Sequence, residues 1–308
     1  METIKIFRRK IQTFIKKPET LFIKLLYFLS PMFSDRLYLK LLFPLKVGYK
    51  LNLKKPKTYN QKLQWLKLNF REKYLTKLVD KYAVKEHVKK EIGEEHVIKN
   101  YGVWDEFDQI DFNKLPNQFV LKTTHDQGGV VLCKDKSTFN LEGAKKKINR
   151  HLNNNIFNRT REWPYKNVEP RIIAEEFIVD ESETELRDYK FFCFHGEPKA
   201  LFIATERQKE TEVKFDYFDI EFNHLDIVQV HPKSGKTFSK PKNYDLMVEI
   251  ARKLSKGLPH VRIDLYNVNG RILFGEYTFF HHEGMKPFHP KEWDYKFGSW
   301  IDLTIVDK

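Results

Sequence analysis

Val261-Arg262-Ile263-Asp264-Leu265-Tyr266-Asn267-Val268-Asn269-Gly270-Arg271-Ile272-Leu273-Phe274-Gly275-Glu276 reads as two apolar strands joined by an Asn-Gly turn. Asn-Gly between apolar runs is the strongest short-range hairpin signal, because both central residues of the favoured turn take positive φ. Arg262 and Asp264 are two residues apart, so a strand points both to one face. Glu276 on the return strand falls nearly opposite Asp264, close enough to share one ion. Two carboxylates and an arginine among side chains this apolar are costly unless something neutralises them. A divalent metal carrying phosphates would do so.

Upstream, Phe119-Val120-Leu121-Lys122 is an apolar strand ending in a lysine. The turn His125-Asp126-Gln127-Gly128-Gly129 follows, and Val130 to Cys133 returns. A lysine there reaches phosphate oxygens, and a glycine turn offers backbone amides to an anion. The turn lacks the GxxxxGK[ST] spacing of a P-loop, and a surface hairpin with an exposed lysine is the plainer reading of this stretch alone. Ile172-Ile173-Ala174-Glu175-Glu176-Phe177-Ile178 is an apolar strand broken by two adjacent carboxylates. Neighbours on a strand face opposite sides, so one of the pair points inward unless this is an edge strand. Lys190 sits in Asp188-Tyr189-Lys190-Phe191 and faces the same cleft or snorkels from a sheet edge. His281, His282 and His289 match no common zinc spacing, and the only cysteines, Cys133 and Cys193, form no CxxC; they read instead as ordinary surface histidines or as a His-lined loop that contacts substrate, for which residues 279–293, with Glu283 and Lys286, are the best candidate.

Helices are expected from Thr58 through Phe70, from about Asp80 to Gly93, over 141–155 behind Asn140, and over 244–256. Strands are expected at 172–179, 189–194, 200–205 and 213–218. Hairpins alternating with a few helices give an α+β class with mainly antiparallel sheets, not a doubly wound parallel sheet.

The formal charge is +13, yet residues 1–57 hold fourteen Lys/Arg against three carboxylates, so the rest of the chain is nearly neutral. A nucleic-acid partner is therefore not expected. Ile4, Phe7, Ile11 and Phe14 recur at helical spacing among basic residues, and a more apolar stretch runs from Leu21 to Phe33 around Lys24. Neither reaches the ~20 apolar residues of a membrane span. Residues 1–35 are expected to dock on an anionic membrane surface, the plainer alternative being a basic helix packed on the domain.

The order of these features resembles the TupA-like family of the ATP-grasp superfamily, which is linked to teichuronopeptide and other surface-polysaccharide pathways. The resemblance spans roughly 50–303. It includes Pro56-Lys57-Thr58-Tyr59-Asn60-Gln61-Lys62-Leu63-Gln64-Trp65, Asp80-Lys81-Tyr82, Arg161-Glu162-Trp163, Asp188-Tyr189-Lys190-Phe191 and Trp293-Asp294. It implies an ATP-grasp fold, two α+β subdomains clasping ATP behind a helical N-terminal region. The implied divisions are a basic membrane-associating segment (1–57), a helical lobe (58–115), a small subdomain (116–178) and a C-terminal subdomain with the metal site (179–308).

The resemblance also implies roles. Lys122 would bind the α/β-phosphates, and the loop from His125 through Gly128 and Gly129 would close over the β/γ-phosphates. Glu175, Glu176, Phe177 and Ile178 would form the adenine hinge, and Glu183 or Glu185 would hold the ribose. Asp264 and Glu276 would bind Mg2+, with Thr278 standing where many relatives carry a third ligand, asparagine. Arg262 would contact the transferring phosphoryl group, with Lys190 in the same cleft. The implied activity is carboxylate–amine ligation through an acylphosphate. The expected partners are a glycan or glycolipid precursor bearing a uronic-acid carboxylate, and an amine. The expected location is the cytoplasmic face of a bacterial membrane. A glycosyltransferase of capsule or lipopolysaccharide synthesis is the alternative, although the chain has no DxD motif. A non-catalytic scaffold is a third reading, opposed by the joint retention of Lys122, Arg262, Asp264 and Glu276.

Overall fold

The computed structural model describes residues 18–180, 186–206 and 212–306. Five helices lead: α1 (Pro18–Phe28), α2 (Asp35–Val47), α3 (Tyr59–Asn69), α4 (Leu75–Val79) and α5 (Val84–Ile92). The starts of α2 and α3 are set by side-chain caps, Ser34 Oγ accepting from the Leu37 amide and Thr58 Oγ1 from that of Gln61. Asp80 does not begin a helix. Its carboxylate accepts from the amides of Tyr82 and Ala83, and α5 starts at Val84. Among the described residues, no helix is long and apolar enough to cross a membrane.

A four-stranded antiparallel sheet follows, from β1 (Asn100–Trp104), β2 (Phe119–Thr123), β3 (Val130–Cys133) and, after α6 (Leu141–Leu152) and α7 (Ile156–Thr160), β4 (Ile172–Glu176). Its order is β1-β4-β2-β3. A separate core of Phe107, Phe119, Leu121, Ala144, Ile148, Ile172 and Ala174 holds α6 against it. Strand β1 precedes residue 116, so the small sheet reaches back to Asn100 and does not begin where the small subdomain was expected to. Helices α3 to α5 pack into the core of the second sheet.

The second sheet has six antiparallel strands in the order β10-β9-β5-β6-β7-β8. They are β5 (Asp188–Phe194), β6 (Glu197–Thr205), β7 (Lys214–Asp219), β8 (His224–Leu225), β9 (His260–Val268) and β10 (Arg271–Thr278). Helix α8 (Tyr244–Ser255) lies behind it, and α9 (Glu292–Ser299) closes the chain against α3.

Alternation sorts this sheet. In the central strands, Tyr189, Phe191 and Cys193 neighbour Leu265, Ile263 and Val261 and form a core with Met247, Ile250, Ala251 and Leu254 of α8. The opposite face carries Asp188 and Lys190 on β5, with Arg262 and Asp264 on β9.

The N-terminal helices are not a detached tail. Leu26 of α1 packs with Tyr38, Leu39, Leu42, Phe43 and Val47 of α2, and Met285 from the C-terminal half joins them. Arg161 fastens this region: its Nε lies 3.0 Å from Asp35 and its guanidinium 4.5 Å from the Tyr38 ring centroid. The Arg161-Glu162-Trp163 motif therefore contributes, through its arginine, to joining the helical region to the body. Asp294 makes a similar clasp, accepting from the Asn60 amide at 2.9 Å and from the Tyr49 hydroxyl.

Candidate active site

The turn of the β9–β10 hairpin has positive φ at both Asn269 (+51°) and Gly270 (+81°), the geometry Asn-Gly favours. Asp264 faces Glu276 and Arg262 faces Thr278 across the ladder. A bulge between Phe274 and Glu276 brings this about. Its extra residue is Gly275, where a Cβ would lie 3.1 Å from the Asp264 carbonyl oxygen.

Arg262 is 7% exposed and fully engaged. Its Nε donates to Asp264 Oδ1 (2.6 Å), and its Nη2 donates to Asp264 Oδ2 (2.7 Å), Thr278 Oγ1 (3.0 Å) and Glu276 Oε1 (3.3 Å). Nη1 donates to His281 Nδ1 at 2.6 Å, and the other ring nitrogen of His281 donates to Gln229 Oε1 at 3.0 Å. Burial, then the charges of His282 and Arg262, hold His281 well below its usual pKa, so it is the neutral acceptor that Arg262 needs. Lys190 pairs with Asp188 at 2.6 Å and also with Asp264.

Three carboxylates, Asp188, Asp264 and Glu276, thus meet two cations. Burial raises the Glu276 pKa, but Lys190, Arg262 and Lys81 outweigh it and keep the group ionised. The Thr278 hydroxyl is committed: it accepts from Arg262 and donates to Glu276 at 3.2 Å. It therefore orients Glu276, and one lone pair of its oxygen remains for a further partner. Among the described residues no group of three or more His, Cys, Asp or Glu forms a metal site. Asp264 and Glu276 provide hard oxygen donors that suit Mg2+, an ion that ordinarily completes its shell with water and phosphate oxygens.

On the facing sheet, Glu175 is 4% exposed and takes Lys122 at 2.6 Å and Lys85 at 2.5 Å. Glu175 shares the sheet face of Val120 and Lys122, and Glu176, its neighbour, pairs with Phe119 on the other face. Of the two carboxylates, Glu175 holds the lysine, and Glu176 lines the cleft at the strand end with Phe177 and Ile178. Ile98, Val120, Leu186 and Tyr266 join Phe177 and Ile178 as an apolar wall. The cleft measures about 1160 Å³ and also brings Lys122, Lys190, Arg262, Asp264, Glu276 and Thr278 together.

The glycine loop departs from expectation. The amides of Gly128 and Gly129 donate to Asp126 Oδ1, at 3.1 and 2.9 Å, and the Thr123 hydroxyl adds a third bond at 2.7 Å. Asp126 also pairs with His151, and the Lys81 ammonium donates to its carbonyl oxygen. The two glycine amides are thus taken by the loop's own carboxylate. His125 is buried and donates to the Asn154 carbonyl at 2.9 Å. Gln127 is the loop residue that lines the cleft. Glu183 and Glu185 lie outside the described residues.

Lys81 and Asp188 reach this site without having been assigned chemistry from sequence, and His281 reaches it as a partner of Arg262. Asp188 was legible by alternation, two residues before Lys190 on the same face. Lys81 lies in the quoted Asp80-Lys81-Tyr82 motif, and His281 lies in the His-lined segment 279–293, though its role as the acceptor for Arg262 was not read from it.

A family model for TupA-like ATP-grasp proteins matches residues 61–302. The chain belongs to that family. Its two antiparallel sheets facing one cleft are the ATP-grasp architecture. Among solved structures, the D-alanine–D-alanine ligase from Helicobacter pylori is 14% identical, with a TM-score of 0.38, over 75% of this chain and 60% of that one. An L-amino acid ligase from Bacillus licheniformis is 12% identical, with a TM-score of 0.46, over 76% of this chain and 51% of that one. The D-alanine–D-alanine ligase from Bacillus anthracis complexed with ATP is 12% identical, with a TM-score of 0.40, over 72% and 62%. The TupA-like chain thus spans between about half and three fifths of the length of these ligases. No curated protein matches it.

Proposed function

We propose that the protein is an ATP-dependent carboxylate–amine ligase acting on uronic-acid residues of a bacterial surface polysaccharide or its glycolipid precursor. One observation carries this reading: Lys122 on one sheet and the Arg262–Asp264–Glu276 constellation on the other line a single cleft. The apolar wall from Val120 to Tyr266 suits adenine, and Lys122, held by Glu175, suits the α/β-phosphates. Asp264 and Glu276 would hold Mg2+, which when bound offsets the negative charge of the phosphates.

A carboxylate is a poor electrophile. Its oxygen attacks the γ-phosphorus, the P–O bond to ADP breaks, and an acylphosphate forms. The amine then attacks the acyl carbon, phosphate leaves with the C–O bonding pair, and the amine nitrogen gives up a proton. Arg262 and Lys190 stabilise charge on the transferring phosphoryl oxygens. Their carboxylate and histidine partners fix them before substrate arrives, so little reorganisation is needed during the reaction.

Residues 1–35 are the membrane-docking part of this reading, placing the enzyme on the inner face of the membrane. Leu21, Phe22, Leu25, Phe28 and Met32 are all exposed, Phe28 at 81% and Met32 at 78%, while Leu26 is turned inward. A helix face this apolar beside a basic segment matches an anionic lipid surface.

The test is ADP release with Mg-ATP, a uronate-containing acceptor and an amine. Asp264→Asn is expected to lower turnover by at least ~100-fold while the protein stays folded by circular dichroism. A folded wild type that binds no Mg-ATP, or an Asp264→Asn variant as active as wild type, would overturn the proposal.

A further inference from the structure

The cleft is larger than the ~300–1,000 Å³ of an ordinary small-molecule pocket, and it continues past Arg262 toward the N-terminal helices. That far end is lined by Phe202, Phe215, His282, Glu283, Lys286 and Lys46. Lys46 comes from α2, within the region that sequence reading gave to membrane binding alone. Its ammonium lies 3.0 Å from Glu283 and 5.5 Å from the Tyr27 ring centroid.

The loop under this end is built with care. His282 (φ +48°), Glu283 (+61°) and Gly284 (+58°) are consecutive left-handed residues, a costly run for two that carry a Cβ. Buried side chains hold it: Lys67 Nζ donates to the Glu283 carbonyl at 2.8 Å, and Gln64 Nε2 donates to the Gly284 carbonyl at 2.8 Å. The turn stacks the His282 ring on Phe215, centroids 6.0 Å apart and planes 19° apart, and aims the Glu283 carboxylate at Lys46. Phe202 packs against Phe215 at 4.5 Å.

Charge at this end does not balance. Glu283 is one anion facing Lys46 and, at 3.5 Å, Arg159. Lys286 is exposed and has no ion pair among the described residues. With the buried Lys67 and Glu162 behind this end counted in, four cations face two carboxylates, and the surplus favours an anionic ligand. The His282 ring, stacked on the buried Phe215, beside a cationic rim is suited to a sugar ring that carries a carboxylate.

We propose that this end is a subsite for an acidic sugar of the acceptor beyond the one that reacts, with Lys46 as its specificity-determining cation and Glu283 as a competing internal anion. The inference rests on the ligase reading and deepens it: the enzyme grips at least two acidic sugars, one at Arg262 and one at Lys46.

The experiment is calorimetric titration of the full chain, loaded with Mg2+ and a non-hydrolysable ATP analogue. The probes are glucuronate, a di-uronate and the neutral disaccharide maltose. The di-uronate is expected to bind more tightly than either other probe. Lys46→Met is expected to weaken di-uronate binding about tenfold, the worth of one charge-assisted contact, while leaving glucuronate within about twofold. Glu283→Gln is expected to tighten di-uronate binding, the opposite sign. Affinity for the ATP analogue serves as the control for folding. If the wild type binds the analogue but takes maltose and di-uronate alike, or if both variants shift di-uronate affinity in the same direction, the subsite is wrong and the ligase reading stands. If the wild type does not bind the analogue, the ligase reading itself falls, and the subsite with it.

Discussion

Glu175→Gln is expected to cost about 3 kcal/mol at neutral pH. The side chain is 4% exposed and bridges Lys122 at 2.6 Å and Lys85 at 2.5 Å. Burial alone would raise its pKa, but the two ammonium groups win and bring it to about 2 from an ordinary 4.5. Each tenfold in proton affinity is worth ~1.4 kcal/mol, so that gap amounts to about 3 kcal/mol of folded-state preference for the ionised group. Breaking a buried ion pair by removing one partner costs about the same, 3–5 kcal/mol. The sign follows from the lowered pKa: the contribution is complete above pH ~4.5 and is lost as pH falls from there toward ~2. Glutamine keeps the shape and removes the charge, leaving two lysines beside each other. At a few degrees per kcal/mol for a chain of this size, Tm at pH 7 should drop by roughly 5–10 °C. The check is thermal unfolding of both proteins by circular dichroism from pH 7 down to pH 3. The two melting temperatures should converge as the pH falls below ~4.5. A variant within about 1 °C of wild type at pH 7, or a difference that stays constant down to pH 3, would refute the ion-pair reasoning.

Gly129→Ala would put a Cβ 2.0 Å from Thr123 Oγ1 and 2.9 Å from His151 Cβ, so the loop must open. A loss of about 1–3 kcal/mol by urea unfolding, with weaker ADP binding, is expected, and unchanged values for both would show that the loop is slack. Replacing Phe28 and Met32 together by aspartate should leave Tm within about 2 °C, since both side chains are exposed, yet reduce co-sedimentation with phosphatidylserine vesicles at least about tenfold. Equal sedimentation of variant and wild type would remove α1 from the membrane contact.

What the sequence disclosed was whatever local chemistry determines. The turn of the β9–β10 hairpin was legible because Asn-Gly sets it, and the first four pairs of the ladder follow from it. Plain counting beyond them puts Gly275 opposite Asp264 and Glu276 opposite Ile263; the Gly275 bulge, which carries Glu276 round to Asp264, had no signal in the local pattern. The alternation argument at Glu175 and Glu176 showed that the two must part, but not which would be buried, since that depends on Lys85 arriving from a distant helix. The hydrogen bonds of the glycine loop have a cause visible in its own sequence. Aspartate two and three residues before a glycine pair competes for their amides in an Asx-type turn, and here it wins. His281 and Lys46 are different in kind. The histidine cluster marked the loop around His281 but not its partner, nothing near Lys46 marked it, and each takes its place only when the fold carries it across to Arg262 or Glu283.

Arg262 shows how far a site can be set before any substrate arrives. One guanidinium is held by Asp264 through two parallel bonds from Nε and Nη2 and by His281 through Nη1, while Nη2 also reaches Thr278 and Glu276. Lysine could not replace it, because a single ammonium cannot span a carboxylate and an imidazole on opposite sides. With all three nitrogens tied to β9, β10 and the loop after β10, the charge cannot swing toward a phosphoryl group. On the ligase reading the reacting carboxylate and phosphoryl group come to Arg262, so that the aim of the cleft, not the motion of a side chain, decides which carboxylate is activated. The subsite at Lys46 is then what would set that aim, because Glu283, which holds Lys46 of α2, lies on the loop that begins at His281, the same residue that fixes Arg262.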